Sequence, residues 1–353
     1  MKIRNKKGNF NALVQFGVFL CFSIIQFSIS AATVFPDRLN LLGLLENRKY
    51  AQLGKMLHSY QENYEKGSGD ERLVLFVLET LANSNPEYEA LLAEWIEANP
   101  ESYVPYLVRA HYYYDVAWSW RGHLGKSETS SERFKKMNDF LQLAAGDITK
   151  TIQLKPRSSA SDALAMKVLM MLENEEYKKQ TLKEALDIDP ASYLVRSSYF
   201  WSLKPEWGGN PEELMNFADE TRIVAKKYSQ LEQLLGYSDY IFAESLAERK
   251  QHDEAAIHFD FAVDKGADYI ILRERGINYY HLQEYEKALQ NFNLSLEQWP
   301  QDPKTLRWRA HTLQRMLKYE SAIADLDLAI LLVPMDRYTL MAHALLSRKM
   351  KQY

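Results

Sequence analysis

Residues Tyr269 to Asp336 read YIILRERGINYYHLQEYEKALQNFNLSLEQWPQD and then PKTLRWRAHTLQRMLKYESAIADLDLAILLVPMD, which are two copies of one 34-residue pattern. Seven positions carry residues of similar character in both copies: Leu272, Gly276, Tyr279, Ala288, Phe292, Ser295 and Pro300 match Leu306, Ala310, Leu313, Ala322, Leu326, Ala329 and Pro334. A fixed period of this length is typical of a solenoid, in which each small unit buries a face only against its neighbours. The stretch therefore predicts an all-α solenoid of helix-turn-helix repeats.

Each copy is predicted to be a pair of amphipathic helices. The apolar positions, such as Leu272 and Gly276, recur at helical spacing, and the small ones allow two helices to approach closely. Pro300 ends the second helix, because proline disfavours the helical conformation in the residue before it. Asp302 followed by Pro303 is typical of an N-cap with a proline in the first helical turn.

The order of these residues resembles the tetratricopeptide repeat. The match is looser one copy upstream, where Ala267 replaces the terminal proline and the matching residues are Phe242, Ala243, Leu246, Ala255, Phe259 and Ala262. Arg337 to Tyr353 supplies only a first helix, which we expect to cap the stack with Arg348, Lys349 and Lys351 facing water. The resemblance implies a repeat domain at residues 231–353 that binds a protein or peptide in a groove lined by the first helix of each pair.

The first 32 residues have the order of a secretory signal peptide. Four basic residues precede an apolar run from about Ala12 to Ile29, and small residues follow up to Ala32. We expect cleavage after Ser30 or Ala32 and a periplasmic or secreted mature protein of bacterial origin. The alternative is an uncleaved membrane anchor that leaves the rest of the chain facing the periplasm, because the run is nearly long enough to span a bilayer. A lipid-attached Cys21 is disfavoured, because a leucine precedes it where a small residue is required.

Removal of that segment also removes the single cysteine and four basic residues. The mature chain would hold 39 basic and 47 acidic residues. Without a thiol it has no disulfide and no thiolate metal site, which fits an oxidising compartment. The acidic balance argues against general nucleic-acid binding, which needs an excess of lysine and arginine.

Residues 33–230 are predicted to continue the helical repeats in a divergent form. Pro156 to Pro190 again spans 34 residues, whereas Pro100 to Pro156 spans 56, which indicates a 22-residue insertion centred on the polar loop at 121–131. Insertions of this kind often serve recognition. Two short motifs, AWSWRG at 117–122 and LKPEWGG at 203–209, resemble a bacterial family known only as a domain of unknown function, over about Leu39 to Ala225. That family brings no activity with it.

Motifs for catalysis, cofactors or metals are missing from the sequence. There is no glycine-rich phosphate loop and no His-Glu-x-x-His pattern. His252 and His258 are six residues apart, which places them on different faces of a helix. We therefore expect no enzyme activity, no cofactor and no metal site.

An aromatic cluster is the first candidate binding site: Trp118, Trp120, Arg121 and Trp207. Exposed tryptophans beside an arginine would form a platform for a sugar ring or a peptide. The alternative, which we favour, is that these side chains fill gaps between irregular helices, with Trp207-Gly208-Gly209 as a turn that lets a backbone pack closely.

The concave face of the C-terminal repeats is the second candidate. Ile270, Arg273, Ile277 and Tyr280 share one helix face, and their counterparts are Lys304, Arg307, His311 and Gln314, with Arg315 beside them. Residues 269–353 hold 12 basic and 9 acidic groups, so we expect an acidic peptide or a free C-terminal carboxylate to bind there. The alternative is that these cations are ordinary solvated charges. Peptide-carboxylate clamps of this family use an asparagine where this chain has Ile277 and His311, so a chaperone-tail function is not expected.

Together these patterns predict an exported, non-enzymatic scaffold that binds a protein or peptide partner in its concave groove. The competing hypothesis is a helical cell-envelope enzyme or binding protein that acts on a glycan near Trp118, Trp120 and Trp207. A buried carboxylate with a shifted pKa in one pocket with those tryptophans would favour the second hypothesis.

Overall fold

The computed structural model describes residues 33–122, 129–155 and 158–350, and in this part of the chain it contains 17 α-helices and no strand. The helices are α1 Arg38–Glu46, α2 Tyr50–Glu65, α3 Arg72–Leu81, α4 Tyr88–Ala98, α5 Tyr103–Arg121, α6 Ser131–Leu154, α7 Ser159–Met171, α8 Glu175–Ile188, α9 Tyr193–Ser202, α10 Pro211–Ala225, α11 Tyr237–Glu248, α12 His252–Lys265, α13 Tyr269–His281, α14 Tyr285–Gln298, α15 Pro303–Arg315, α16 Tyr319–Leu332 and α17 Arg337–Met350. The all-α repeat fold is therefore confirmed. The predicted signal segment lies outside the described residues.

Helix ends follow the capping residues in the sequence. Asp302 is the N-cap of α15 and accepts a hydrogen bond from the backbone N–H of Thr305, with Pro303 at the first helical position. Asn210 caps α10 in the same way, with Pro211 next to it. The helix start predicted at Asp302 is therefore correct to the residue.

The turns inside the hairpins share one backbone feature. The residue that reverses the chain has a positive φ between the first and second helices of several pairs, at Arg48, Glu173, Lys250, Gln283 and Leu317. Gln283 and Leu317 are 34 residues apart, like the other matched positions. Because a side chain in this conformation costs free energy, the fold accepts a small local strain in order to keep each turn short.

Small residues sit where the two helices of a C-terminal hairpin touch. A Cβ atom on Gly276 would lie 2.7 Å from Cε1 of Phe292, so α13 and α14 approach too closely for any side chain there. Ala288 and Ala322 are fully buried in α14 and α16. The predicted roles of these positions in close packing are confirmed.

The extra residues in the middle of the chain lengthen a hairpin. α5 has 19 residues and α6 has 24, against 13 in α13 and 14 in α14. These two helices pack along each other. Much of the predicted insertion is therefore regular helix, while residues 123–128 of its central loop lie outside the described part.

The N-terminal end of the fold contacts the C-terminal repeats, and the repeat pattern did not predict this contact. We call this contact the latch, and it joins residues 35–38 to the turn at 299–302. Arg38 is buried, its backbone N–H donates to Oε1 of Gln301 at 3.0 Å, and its Nη1 donates to Thr80 at 2.8 Å. The ring of Trp299 lies 5.2 Å from that of Phe35. The solenoid is thus closed on itself up to α14.

One contiguous apolar core extends from α1 to the start of α13 and includes Trp299, and the rest of α13–α17 has smaller local cores. This large core passes through Leu231, Leu234 and Tyr237, so packing is continuous across the predicted domain boundary at 230–231. That boundary remains a prediction from the sequence. Among the described helices, none is both long enough and apolar enough to cross a membrane.

Candidate functional site

A groove of about 580 Å³ runs over the C-terminal repeats, and we call it the C-terminal groove. Every residue that lines it belongs to a first helix of a pair, namely α13, α15 or α17. It is lined by Glu274, Ile277, Lys304, Arg307, Trp308, His311, Tyr338, Met341, Ala342 and Leu345. Three of the predicted partner-binding residues, Lys304, Arg307 and His311, therefore lie together on one surface.

The arginines of the predicted site are held by carboxylates of the same chain. Arg307 forms an ion pair with Asp336, which caps α17 and accepts hydrogen bonds from Tyr338 and Thr339. Arg273 pairs with Asp302 at 3.3 Å and with Glu274 at 3.0 Å. Both arginines thus connect one repeat to the capped start of the next.

Burial alone would lower the pKa of Arg273, but Glu274 and Asp302 outweigh it and raise that pKa above its usual value. The same pairing lowers the pKa of Glu274 to about 2 despite its burial, with Lys304 as the largest favourable contributor. Its carboxylate accepts a hydrogen bond from Lys304 at 2.8 Å. The groove therefore carries a connected set of opposite charges, and its positive charge is largely balanced within the chain.

Two further predicted residues, Tyr280 and Arg315, contact aromatic side chains at the edge of the groove, near His311. Tyr280 lies 5.4 Å from the ring of Trp308, and His311 lies 5.6 Å from it. Nε of Arg315 donates to the phenol oxygen of Tyr285 at 2.9 Å. Burial, followed by the charge of Arg307, lowers the pKa of His311, so its imidazole is neutral at physiological pH.

Apolar side chains on α17 form the part of the groove that sequence reasoning missed. Met341 is 59% exposed and Leu345 is 49% exposed, and both face the same groove as Ile277 and Trp308. The repeat period contains the signal, because Met341 and Leu345 stand 34 residues after Arg307 and His311. The prediction of a solvated cap for the last helix did not extend the groove to these two residues.

The tryptophan side chains pack against one another and do not form a flat platform. Trp118 meets Trp207 edge to face at 5.3 Å and Trp201, which was not predicted, at 5.6 Å. Trp120 does not share these contacts and is exposed at the end of α5. Arg121 lies over the ring of Phe134 at 5.6 Å. The cluster holds α5, α9 and the turn at 205–207 together, which is the packing alternative.

Part of the chain is similar to a known protein family. Residues 37–182 match the family model of a domain of unknown function (DUF4034), which confirms the second resemblance over that part. The LKPEWGG stretch at 203–209 lies beyond the match, so the resemblance is shorter than expected. The C-terminal repeats are tetratricopeptide-like. No curated protein gives a significant match.

Solved structures with similar helical repeats share little sequence with this chain. YrrB, a TPR protein with an unusual peptide-binding site, is 17% identical, with 71% of this chain and 96% of that chain covered and a TM-score of 0.30. Yeast Tom70 is 14% identical, with 86% and 60% covered and a TM-score of 0.46. PilF of Pseudomonas aeruginosa is 13% identical, with 67% and 97% covered and a TM-score of 0.35. At these identities the likeness concerns the fold alone.

Proposed function

We propose that this protein is a non-enzymatic scaffold that binds a segment of a protein partner in the C-terminal groove. The observation that supports the proposal is the exposed apolar strip of Met341 and Leu345, which lies beside charged residues in a concave surface built by three successive first helices. Exposed apolar side chains rimmed by polar ones are typical of protein interaction sites. The absence of a catalytic motif from the sequence is consistent with a binding role.

We also propose that the partner segment is acidic, with a smaller contribution of its charge to affinity than the sequence alone predicts. The basic excess of residues 269–353 favours a negative ligand, but Arg273, Lys304 and Arg307 already have carboxylate partners. A bound acidic side chain would therefore compete with Glu274 and Asp336 for these cations. We expect apolar burial to supply most of the affinity and charge to supply orientation and rate.

The test is a selection of random short peptides on the protein, followed by binding measurements on two variants. Met341→Asp with Leu345→Asp places two charges in the groove and should reduce peptide affinity about tenfold or more, because the apolar contact becomes costly to form. Leu331→Asp is the matched control, since Leu331 is 60% exposed on a second helix outside the groove. Equal loss of binding in both variants, or none in the groove variant, would contradict the proposal.

We further propose that the protein is exported and acts in the periplasm or outside the cell. The support is the order of basic, apolar and small residues in the first 32 positions. Mass spectrometry of the mature protein should find an N-terminus at Ala31 or Thr33. An intact Met1 in the membrane fraction would show an anchor instead.

A further inference from the structure

A second, more enclosed cavity of about 160 Å³ lies on the inner side of the superhelix, and we call it the axial cavity. Its wall takes residues from six first helices, α3, α5, α7, α9, α11 and α13. Leu75, Trp201 and Ile270 form part of an apolar wall, while Glu79, His111 and Lys167 supply charged and polar groups. It is distinct from the C-terminal groove and shares no lining residue with it.

Several polar groups at this cavity have no hydrogen-bond partner inside the described part of the chain, whereas Tyr193 and Tyr237 in its wall both donate to Asp268. His111 is 6% exposed and its Nε2 atom makes no hydrogen bond there. Within the same described residues, Glu79, Lys167 and Asp115 form no hydrogen bond or ion pair. Asp115 follows the cavity residue Tyr114 and lies on the same face of α5 as His111.

These groups are close enough to influence one another. Burial, followed by the charge of Glu79, raises the pKa of Asp115 to about 8, and Lys167 opposes that shift. Burial, followed by the charge of Lys167, lowers the pKa of His111 to about 3. The cavity wall therefore carries one carboxyl group, one ammonium group and one neutral imidazole, and the carboxyl group of Asp115 lies beside them. His111 is buried, whereas Glu79, Lys167 and Asp115 are partly exposed.

This arrangement carries a cost in the ligand-free protein. His111 is buried and its Nε2 atom lacks a partner, and such a group destabilises the folded state. Glu79 and Lys167 are partly exposed, carry opposite charges and line the same cavity. A ligand with one positive and one negative group would pair with both and would also bond to the imidazole.

We propose that the axial cavity binds a small zwitterion of the free amino-acid type. Its ammonium group would pair with Glu79, its carboxylate would pair with Lys167, and the imidazole of His111 would take one further hydrogen bond. The volume sets the size, because a cavity of about 150 Å³ accepts a ligand as large as benzene. Amino acids with small or medium aliphatic side chains fit this limit, and the large aromatic ones exceed it.

The first measurement is a thermal-shift and calorimetric comparison on the unmodified protein. Each free amino acid up to the size of leucine is tested beside the amine and the acid made by removing one of its charged groups, as in valine, isobutylamine and isovalerate. We expect at least one zwitterion to raise the melting temperature and each of its one-charge analogues to bind about tenfold or more weakly. Binding of no zwitterion at millimolar concentration, or equal binding of an analogue, would overturn the proposal.

Two variants then test which residue pairs with each charged group of the ligand. Lys167→Met removes the proposed partner of the ligand's carboxylate, so this variant should bind the amine as well as the zwitterion. Glu79→Gln removes the proposed partner of the ligand's ammonium group, so this variant should bind the acid as well as the zwitterion. Lys183→Met, at a solvent-exposed lysine, is the control and should bind as the unmodified protein does. Because each cavity variant deletes an unpaired charge, its ligand-free melting temperature should be unchanged or higher. Unaltered zwitterion binding by Lys167→Met would contradict the role given to Lys167. If that variant does not fold, the comparison of the zwitterion with its one-charge analogues on the unmodified protein still tests the proposal.

Discussion

Asp302 and Asp336 each cap a helix and also bind an arginine 29 residues earlier in the chain. The sequence predicted Asp302 as a cap, and that prediction is confirmed. The partner was not predictable from the spacing of Arg273 and Arg307 alone, because periodicity places a side chain on a face and does not say which group from the next repeat meets it. Arg307 in particular is 18% exposed and is not a solvated charge.

This double role predicts an unusually large cost for losing one aspartate. Asp302→Ala should reduce the free energy of unfolding by about 2–4 kcal/mol, because it removes a cap and leaves buried Arg273 with one carboxylate partner fewer. Asn210→Ala removes a cap without such a partner and should cost about 1 kcal/mol. Urea unfolding of both variants measures the difference. Equal costs would show that the arginine contributes nothing at this position.

Charge reversal at Arg307 should disturb the fold as well as binding, because Arg307 is paired with Asp336. Arg307→Glu with Arg315→Glu should lower association with an acidic partner, but it would also place a glutamate next to Asp336. The melting temperature should therefore fall together with binding. For this reason the apolar variants on α17 are the cleaner test of the groove.

At the scale of single helices, the hairpins depend on small residues at their contacts. Ala288→Leu or Ala322→Leu should overpack the interface between the two helices and cost about 1–3 kcal/mol, because both sites are fully buried. Gln290→Leu, at an exposed position of α14, makes a matched control and should change stability little. A thermal melt without loss in both alanine variants would mean that the helix register is wrong.

Helix positions were the part of the fold most accessible from the sequence. The helix start predicted at Asp302 and Pro303 is correct to the residue. Local signals such as caps, prolines and apolar spacing fix these ends. The long helices α5 and α6 were only partly foreseen, because a polar stretch such as Ser131 to Lys136 can belong to a loop or to the exposed first turns of a helix.

At the scale of the whole molecule, closure by the latch determines which helix faces become an interior. The contact between Arg38 and Gln301 joins residues 263 positions apart. This contact depends on the total rotation that accumulates from one hairpin to the next along the solenoid. The sequence pattern of a single repeat does not give that total rotation. The axial cavity was missed for the same reason, since Glu79, His111 and Lys167 lie on three helices that only the closed superhelix brings around one space.

The latch should make the two ends of the fold stabilise each other. Arg38→Ala should cost about 2–4 kcal/mol, because it removes a buried hydrogen-bonded side chain. It should also speed amide hydrogen exchange at the turn near 299–302. Arg48→Ala, at an exposed arginine in the turn of the same hairpin, should do neither. Unchanged exchange at that turn in Arg38→Ala would show that the latch does not couple the ends.

The central claim is that first helices of the C-terminal repeats receive the partner. Its most direct measurement is photo-cross-linking of a selected peptide that carries a photoreactive apolar residue, followed by mass spectrometry of the adducts. The account predicts adducts on α15 and α17, at or beside Trp308, Met341 and Leu345, and their loss in Met341→Asp with Leu345→Asp. Adducts concentrated on the second helices α14 and α16 would place the partner on the opposite face and contradict it.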